Sequence, residues 1–158
     1  MSDTILLNSF IQNVRAAGAE IIFSQEDADL PSPQWEDLID FTRAEVRSQY
    51  QNFENTEKWY NIRHALFRGR LGVAENGAIW LEDDDMPHRI IPFIAEHLIL
   101  IIKTENIVVN MHEAYNKLAE RDFGFGVFIC GPSKTADIEQ SLVYGAHGAK
   151  QLTVVLFD

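Results

Sequence analysis

The chain has 158 residues, of which 24 are acidic and 13 basic, giving a formal net charge of −11, and it contains a single cysteine. That charge repels phosphate backbones and anionic lipid, which argues against nucleic acid and membrane surfaces as partners. One cysteine allows no intrachain disulfide and no four-cysteine iron–sulfur site.

Length and an ordinary apolar fraction predict one domain over 1–158. The start, Met1-Ser2-Asp3-Thr4, lacks the basic region of a signal peptide. The longest apolar stretch, around Leu98 to Ile102, is too short to span a bilayer. The expected location is therefore the cytoplasm.

In chain order, Leu6, Leu7, Phe10, Ile11 and Val14 recur at helical spacing, and Gly18 stops the run. Ala19 to Phe23 reads as a short strand. A polar loop spans Ser24 to Ser32. Ser32 then predicts an N-cap, with Pro33 at the first helical position and Glu36 and Asp37 in the first turn. Trp35, Leu38, Ile39, Thr42 and Val46 form the apolar stripe of that second helix. Gln49 to Thr56 is a polar, weakly patterned connector expected to be mobile. Glu57 to Phe67 begins as helix, with Trp59, Ile62 and Leu66 on one side.

Leu71 to Leu81 reads as two strands around Glu75-Asn76-Gly77, because an Asn-Gly pair between apolar runs signals a hairpin. Glu82 to Asp85 is expected to be a solvated acidic loop. Leu98 to Ile102 has the continuous aliphatic character of a strand buried on both faces. Val108, Met111, Tyr115 and Leu118 form another helical stripe. Gly126 to Cys130 and Leu152 to Phe157 read as further buried strands, with Cys130 in the core. Strands alternating with helices predict an α/β protein, three-layer α/β/α with a mainly parallel central sheet.

The strongest local signal follows the strand at Gly126. A strand running into Gly131-Pro132-Ser133-Lys134-Thr135 delivers a tight turn at the carboxyl end of a sheet, where open α/β sheets place their ligand crevices. Ser133 and Thr135 supply hydroxyls and backbone N–H groups for a carboxylate or phosphate. A helical turn starting there would add its dipole. Asp137 and Glu139 oppose an anion, and either orient the loop or face a cation. The same residues also fit a simple capped turn. The spacing is neither a P-loop nor a dinucleotide fingerprint.

Residues 131 to 148, Gly-Pro-Ser-Lys-Thr-Ala-Asp-Ile-Glu-Gln-Ser-Leu-Val-Tyr-Gly-Ala-His-Gly, resemble the closing signature of the LUD-domain, or lactate-utilisation protein C, family. Val73-Ala74-Glu75-Asn76-Gly77 resembles that family's Ala-Glu-Ser/Thr-Gly turn, with Asn76 in place of the hydroxyl residue. Pro92 to Ile102, with His97 before an aliphatic strand, resembles its Leu-Pro-x-x-His segment. Ala149 replaces the usual proline. The amino-terminal half is shorter than in typical members and lacks a clear Val/Ile-rich strand between Thr42 and Phe67.

The resemblance implies a fold akin to the NagB/RpiA/CoA-transferase group. It also implies a role beside iron–sulfur proteins in oxidising lactate to pyruvate, with the clusters carried by the partners and no cofactor on this chain. It leaves the reaction open. His97 and His147 are the histidines that fit the family pattern, each as a general base, a ligand contact or a structural residue.

Glu75 also resembles the nucleophile of family I CoA-transferases, a chemistry that needs a carboxylate held in a dry site. Ala74 before it and Ala78-Ile79-Trp80 after it depart from that pattern. Glu75, His97 and His147 are thus the candidates for chemistry. Asn76, Arg89, Ser133, Thr135, Asp137 and Glu139 are the candidates for ligand binding. Arg89 either clamps a carboxylate or pairs with the acidic run. His64, His88 and His112 have no pattern around them, and no metal site is expected. Glu75, His97, Ser133, Thr135, Asp137 and His147 are expected to converge near the carboxyl ends of the central strands.

Overall fold

The computed structural model describes residues 2–25, 35–136, 142–144 and 148–158. Helix α1 (Asp3–Ala16) buries Phe10 and Val14. It closes where the N–H groups of Gly18 and Ala19 return to the carbonyls of Arg15 and Val14, a bond pattern that ends a helix and redirects the chain. Strand β1 (Glu20–Phe23) follows.

Then come β2 (Leu38–Asp40), α2 (Ala44–Ser48), a 3-10 helix (Phe53–Asn61) and β3 (His64–Arg68). Next are β4 (Leu71–Val73), β5 (Ala78–Glu82), α3 (Ile91–Ile94), β6 (His97–Lys103), β7 (Ile107–Val108) and α4 (Met111–Ala119). Strands β8 (Gly126–Ile129), β9 (Lys134–Ala136), β10 (Leu142–Tyr144) and β11 (Gln151–Phe157) complete the described elements.

The expected α/β class with a mainly parallel central sheet is present. Its order is β1-β11-β6-β3-β2, and every pairing within it is parallel. β6 and β11 occupy the middle because their residues are aliphatic on both faces. Leu98, Leu100 and Ile102 point to one face with Leu152, Val154 and Leu156, where they meet Phe10 and Val14 of α1 and Ile79 and Leu81 of β5. Ile99, Ile101, Val155 and Phe157 point to the other face, with Trp35 and Leu38 packed against them.

A second sheet, β7-β4-β5-β8, covers the α1 side of the first. Its outer surface holds α4 through Ala114 and Leu118. The hairpin expected at Asn76-Gly77 forms its centre, β4 antiparallel to β5. Among the described residues, no helix is long and apolar enough to cross a membrane.

Several expectations fail, each for a tertiary reason. Ser32 and Pro33 lie outside the described residues, but the helix they were to begin does not run through Leu38. Leu38–Asp40 is an edge strand paired with His64, Ala65 and Leu66, and helix resumes only at Ala44. Glu57 to Asn61 is 3-10 helix, and Leu66 and Phe67 belong to β3. This is the strand that the Thr42–Phe67 stretch lacked on composition. Its central residues are Ala65, Leu66 and Phe67, all buried against β6. Val108 is in β7, and helix starts only after Asn110, whose side chain accepts the Glu113 N–H.

The acidic run is not simply solvated. Glu82 is 1% exposed. Its carboxylate accepts from Arg121 Nε at 2.7 Å, Arg121 Nη2 at 2.8 Å and Trp80 Nε1 at 3.0 Å. Arg70 Nε lies 3.3 Å from the same carboxylate and pairs with Asp85 at 2.6 Å. Burial by itself would raise the Glu82 pKa. The hydrogen bonds from Arg121 and Trp80 outweigh it and hold the group below the usual carboxylate range.

Candidate functional site

Strand β8 delivers the chain into Gly131, whose φ is +71°. A Cβ at this position would sit 2.4 Å from the Ala17 carbonyl oxygen, so both conformation and contact demand glycine. Gly77, with φ +74°, packs in the same way on the backbone of Val14. Asn13 Nδ2 donates to the Ala74 carbonyl at 2.7 Å. The last turns of α1 are thus a platform for both turns, and the Cys130 thiol joins them by donating to the Asn76 carbonyl at 3.1 Å.

Cys130 is exposed, not a core residue, because the chain leaves the sheet at that point. Enclosure of its sulfur raises the thiol pKa, which Lys134 only partly offsets. This is a poor setting for a nucleophilic thiolate.

Beyond Gly131 no helical turn starts within residues 132–136. Ser133 donates its N–H to the Ala149 carbonyl at 2.9 Å, and the chain enters β9, which pairs antiparallel with β10. Lys134 reaches over Gly18 at the carboxyl end of α1, where a cation complements the helix dipole.

These pieces enclose a cleft of about 390 Å³. Phe128, Ile129 and Cys130 form one wall and Pro92 and Phe93 another, with Leu98, Ala149 and Leu152 between them. The Gly131–Lys134 turn and Gly148 close it. Among the described lining residues, Lys134 alone carries a formal charge at neutral pH. The cleft lies at the carboxyl end of β8 but at the amino ends of β6 and β11, because the two sheets run past one another.

Ser133 therefore lines the cleft. Thr135 is in β9, opposite Val143. Asp137, Glu139 and His147 lie outside the described residues. Asn76 sits in the adjoining turn and uses its side-chain oxygen to accept the Ala78 N–H at 2.9 Å. Arg89 is exposed, its guanidinium 4.7 Å from the centre of the Phe125 ring, and the cation–π contact takes the place of the expected acidic pair.

Glu75 is exposed, and its carboxylate accepts the Met111 N–H at 2.9 Å. It stabilises the first turn of α4. That setting is not the dry pocket a covalent carboxylate nucleophile requires.

The expected convergence fails at His97. This residue begins β6, at its amino end, and side chains alternate along a strand. Leu98 points into the cleft, so His97 points through the opposite face. There its Nε2 bonds Thr153 Oγ1 at 2.8 Å and its Nδ1 bonds His64 Nδ1 at 3.0 Å. Trp35 meets its ring edge-on. Burial, reinforced by His64, pulls its pKa down to about 4. His97 is a neutral, fully engaged interior histidine at physiological pH.

Sequence reasoning missed two groups, the Glu82–Arg121 pair and His64. Alternation in β5 places Glu82 on the face of Trp80, which was the available signal for the first. For His64 there was none, because only the pairing of β3 with β6 brings it opposite His97.

The fold and the cleft define a class, an α/β protein with a crevice built around a strand-to-Gly-Pro-Ser turn. A crystal structure of a DUF162 family protein from Deinococcus radiodurans shares this fold. It matches with a TM-score of 0.70 over 100% of this chain and 99% of that one, at 15% identity. Residues 34–157 match the LUD domain, and the chain belongs to the LUD-domain family.

Among its relatives is an uncharacterized protein of Neisseria meningitidis serogroup B, 32% identical over 63% of this chain and 44% of that protein. Lactate utilization protein C of Oceanobacillus iheyensis is 32% identical over 56% of this chain and 40% of its own length. Lactate utilization protein C of Bacillus pumilus is 34% identical over 54% and 38%. The matched stretch thus spans less than half of each of these relatives.

Proposed function

We propose that this chain serves the utilisation of lactate or a related organic acid as a ligand-binding accessory component. It would act in the cytoplasm, as a single LUD-type domain, beside iron–sulfur proteins that oxidise lactate to pyruvate. The names of the relatives support the metabolic role. The observation that carries the ligand is the cleft, an open crevice of mixed polar and apolar lining whose one formal charge among the described lining residues is Lys134. A small organic monoanion matches it, with carboxylate on the lysine and carbon skeleton against Phe93, Leu98 and Phe128. A polyanion does not, because the carboxyl end of α1 lies alongside.

Clusters are assigned to partners because one cysteine cannot supply four ligands. The CoA-transferase reading through Glu75 draws no support from that residue's position at the head of α4.

The test is calorimetric titration with lactate, pyruvate and the neutral analogue lactamide, backed by thermal shift. A ligand selective for the folded state raises the melting temperature by mass action. Both acids bind, lactamide does not, and Lys134→Met weakens the acids about tenfold, equivalent to about 1.4 kcal/mol. Equal binding of lactamide, or no response to either acid at millimolar concentration, would sink the ligand reading. Affinity capture from the native cell tests the partner reading, which predicts recovery of a cluster-bearing protein.

A further inference from the structure

On the face of the parallel sheet opposite the cleft, a second cavity of about 350 Å³ opens at the amino ends of β3, β6 and β11. Arg63, His64, Glu96, His97, Lys150 and Gln151 line it. The two imidazoles here are not equivalent. His97 is 6% exposed and has both ring nitrogens bonded, Nδ1 to His64 and Nε2 to Thr153. It has no valence left for a ligand. His64 is half-buried and uses only Nδ1. Its Nε2 forms no hydrogen bond among the described residues.

The chain of bonds couples that nitrogen to the direction of the Thr153 hydroxyl. When the Thr153 hydroxyl donates to His97 Nε2, His97 Nδ1–H donates to His64 Nδ1. His64 must then carry its proton on Nε2, presenting a donor. Reversing the threonine hydroxyl reverses every step and presents a lone pair instead. The buried Thr153 and His97 thus select the tautomer of His64, as a hydrogen-bonded partner selects the tautomer of a ligating histidine.

Charges around His64 come from every neighbouring element. Arg63 precedes it, Glu96 stands at the head of β6, Lys150 at the head of β11, and Asp37 at the head of β2. Arg63 and Lys150 outnumber Glu96 in the lining itself, in a chain whose overall charge is −11.

We propose that this cavity is a second ligand site, taking a small oxyanion, carboxylate or phosphate, on His64 Nε2–H between Arg63 and Lys150. His97 and Thr153 act as positioning residues that hold His64 in its donor form. The site is independent of the Ser133–Lys134 cleft, which faces away through the other side of β6.

Imidazole nitrogen resonances of the intact chain report on it directly. The probes are sodium phosphate and sodium acetate, with sodium chloride at matched ionic strength as control. One or both oxyanions shift His64 Nε2 saturably, with His97 following through the shared bond, and the probe that saturates identifies the source. Arg63→Ala, a change at an exposed residue, raises the midpoint about tenfold. Thr153→Val changes the His64 tautomer ratio and the pH profile of binding, and Thr153→Ser restores both. His64 signals that follow chloride as closely as the oxyanions would overturn the proposal. So would an unchanged midpoint in Arg63→Ala, or an unchanged His64 tautomer in Thr153→Val.

Discussion

The two sheets of this molecule solve the same burial problem with different chemistry. The parallel sheet is filled by aliphatic side chains on both faces, such as Leu98, Leu100 and Ile102 against Ile99 and Ile101. The second sheet sets a carboxylate, Glu82, into its edge-to-helix boundary and balances it with Arg121, Arg70 and Trp80. Apolar burial is non-directional and tolerates small errors of placement. A buried charge does not, because its desolvation is offset only while the partners stay in register. The first sheet therefore sets the depth of the fold, and the second sets the relative placement of β4, β5 and the end of α4.

That contrast can be broken experimentally. The largest effect is expected from Leu100→Ala, at a residue with 0% exposure in the central strand. It should cost about 4 kcal/mol in urea unfolding, from lost transfer energy and the cavity left behind. A cost below that of an exposed leucine would contradict a rigid, close-packed parallel core.

Arg121→Ala should cost about 3 kcal/mol, because it strands a buried carboxylate. The double change of Glu82→Leu with Arg121→Met should recover most of that loss. If it does not, the pair does more than balance itself.

Stability should also depend on pH in two separate windows. His97 is held neutral in the fold, with its pKa near 4 instead of 6.5. As pH falls below 6.5 the unfolded chain takes up a proton that the folded chain refuses, so stability declines down to about pH 4 and the slope then vanishes. The loss is up to about 3 kcal/mol, read from denaturation midpoints, and His97→Asn should flatten it. Glu82 works in the same direction in a lower window. Its depressed pKa adds stability above the usual carboxylate range, and that part is lost only as pH falls below about 4.5, the ordinary glutamate value.

The smallest expected effect is Gly131→Ala, at about 2 kcal/mol for the positive φ. Because the new methyl group meets Ala17, binding of organic acid in the cleft should weaken more than stability does. Unaltered binding would separate the turn from the site.

The sequence made the middle strands of the parallel sheet and the hairpin of the second sheet legible, and left the Glu82–Arg121 pair hidden. Five consecutive aliphatic residues at Leu98–Ile102 have few folds open to them, and Asn76-Gly77 names its own turn. Leu38 and Ile39 misled because, with Trp35, Thr42 and Val46, they satisfy helical spacing. Pairing with β3, a contact more than 20 residues distant in sequence, decided otherwise. The Gly131 turn was legible as a tight turn after a strand, and it lines a cleft. The sense of the surrounding strands and the strand at Lys134–Ala136 were not, since both depend on tertiary pairing. His64 and His97 show the same limit, for the residue carrying the pattern is the one whose nitrogens are spent.

The strand order carries a consequence for how the chain reaches this state. Among the described residues β1 has β11 as its one neighbour in the sheet, pairing Glu20–Phe23 with Thr153–Leu156. During synthesis the early strand therefore has no template until residues more than 120 positions later have emerged. Contacts of such long separation slow folding, because loop closure precedes the reward. β3 and β6 are adjacent and closer in sequence, so they offer an earlier nucleus. The amino-terminal helix and strand are therefore expected to join the sheet late, and with them the platform on which the Gly131 turn rests.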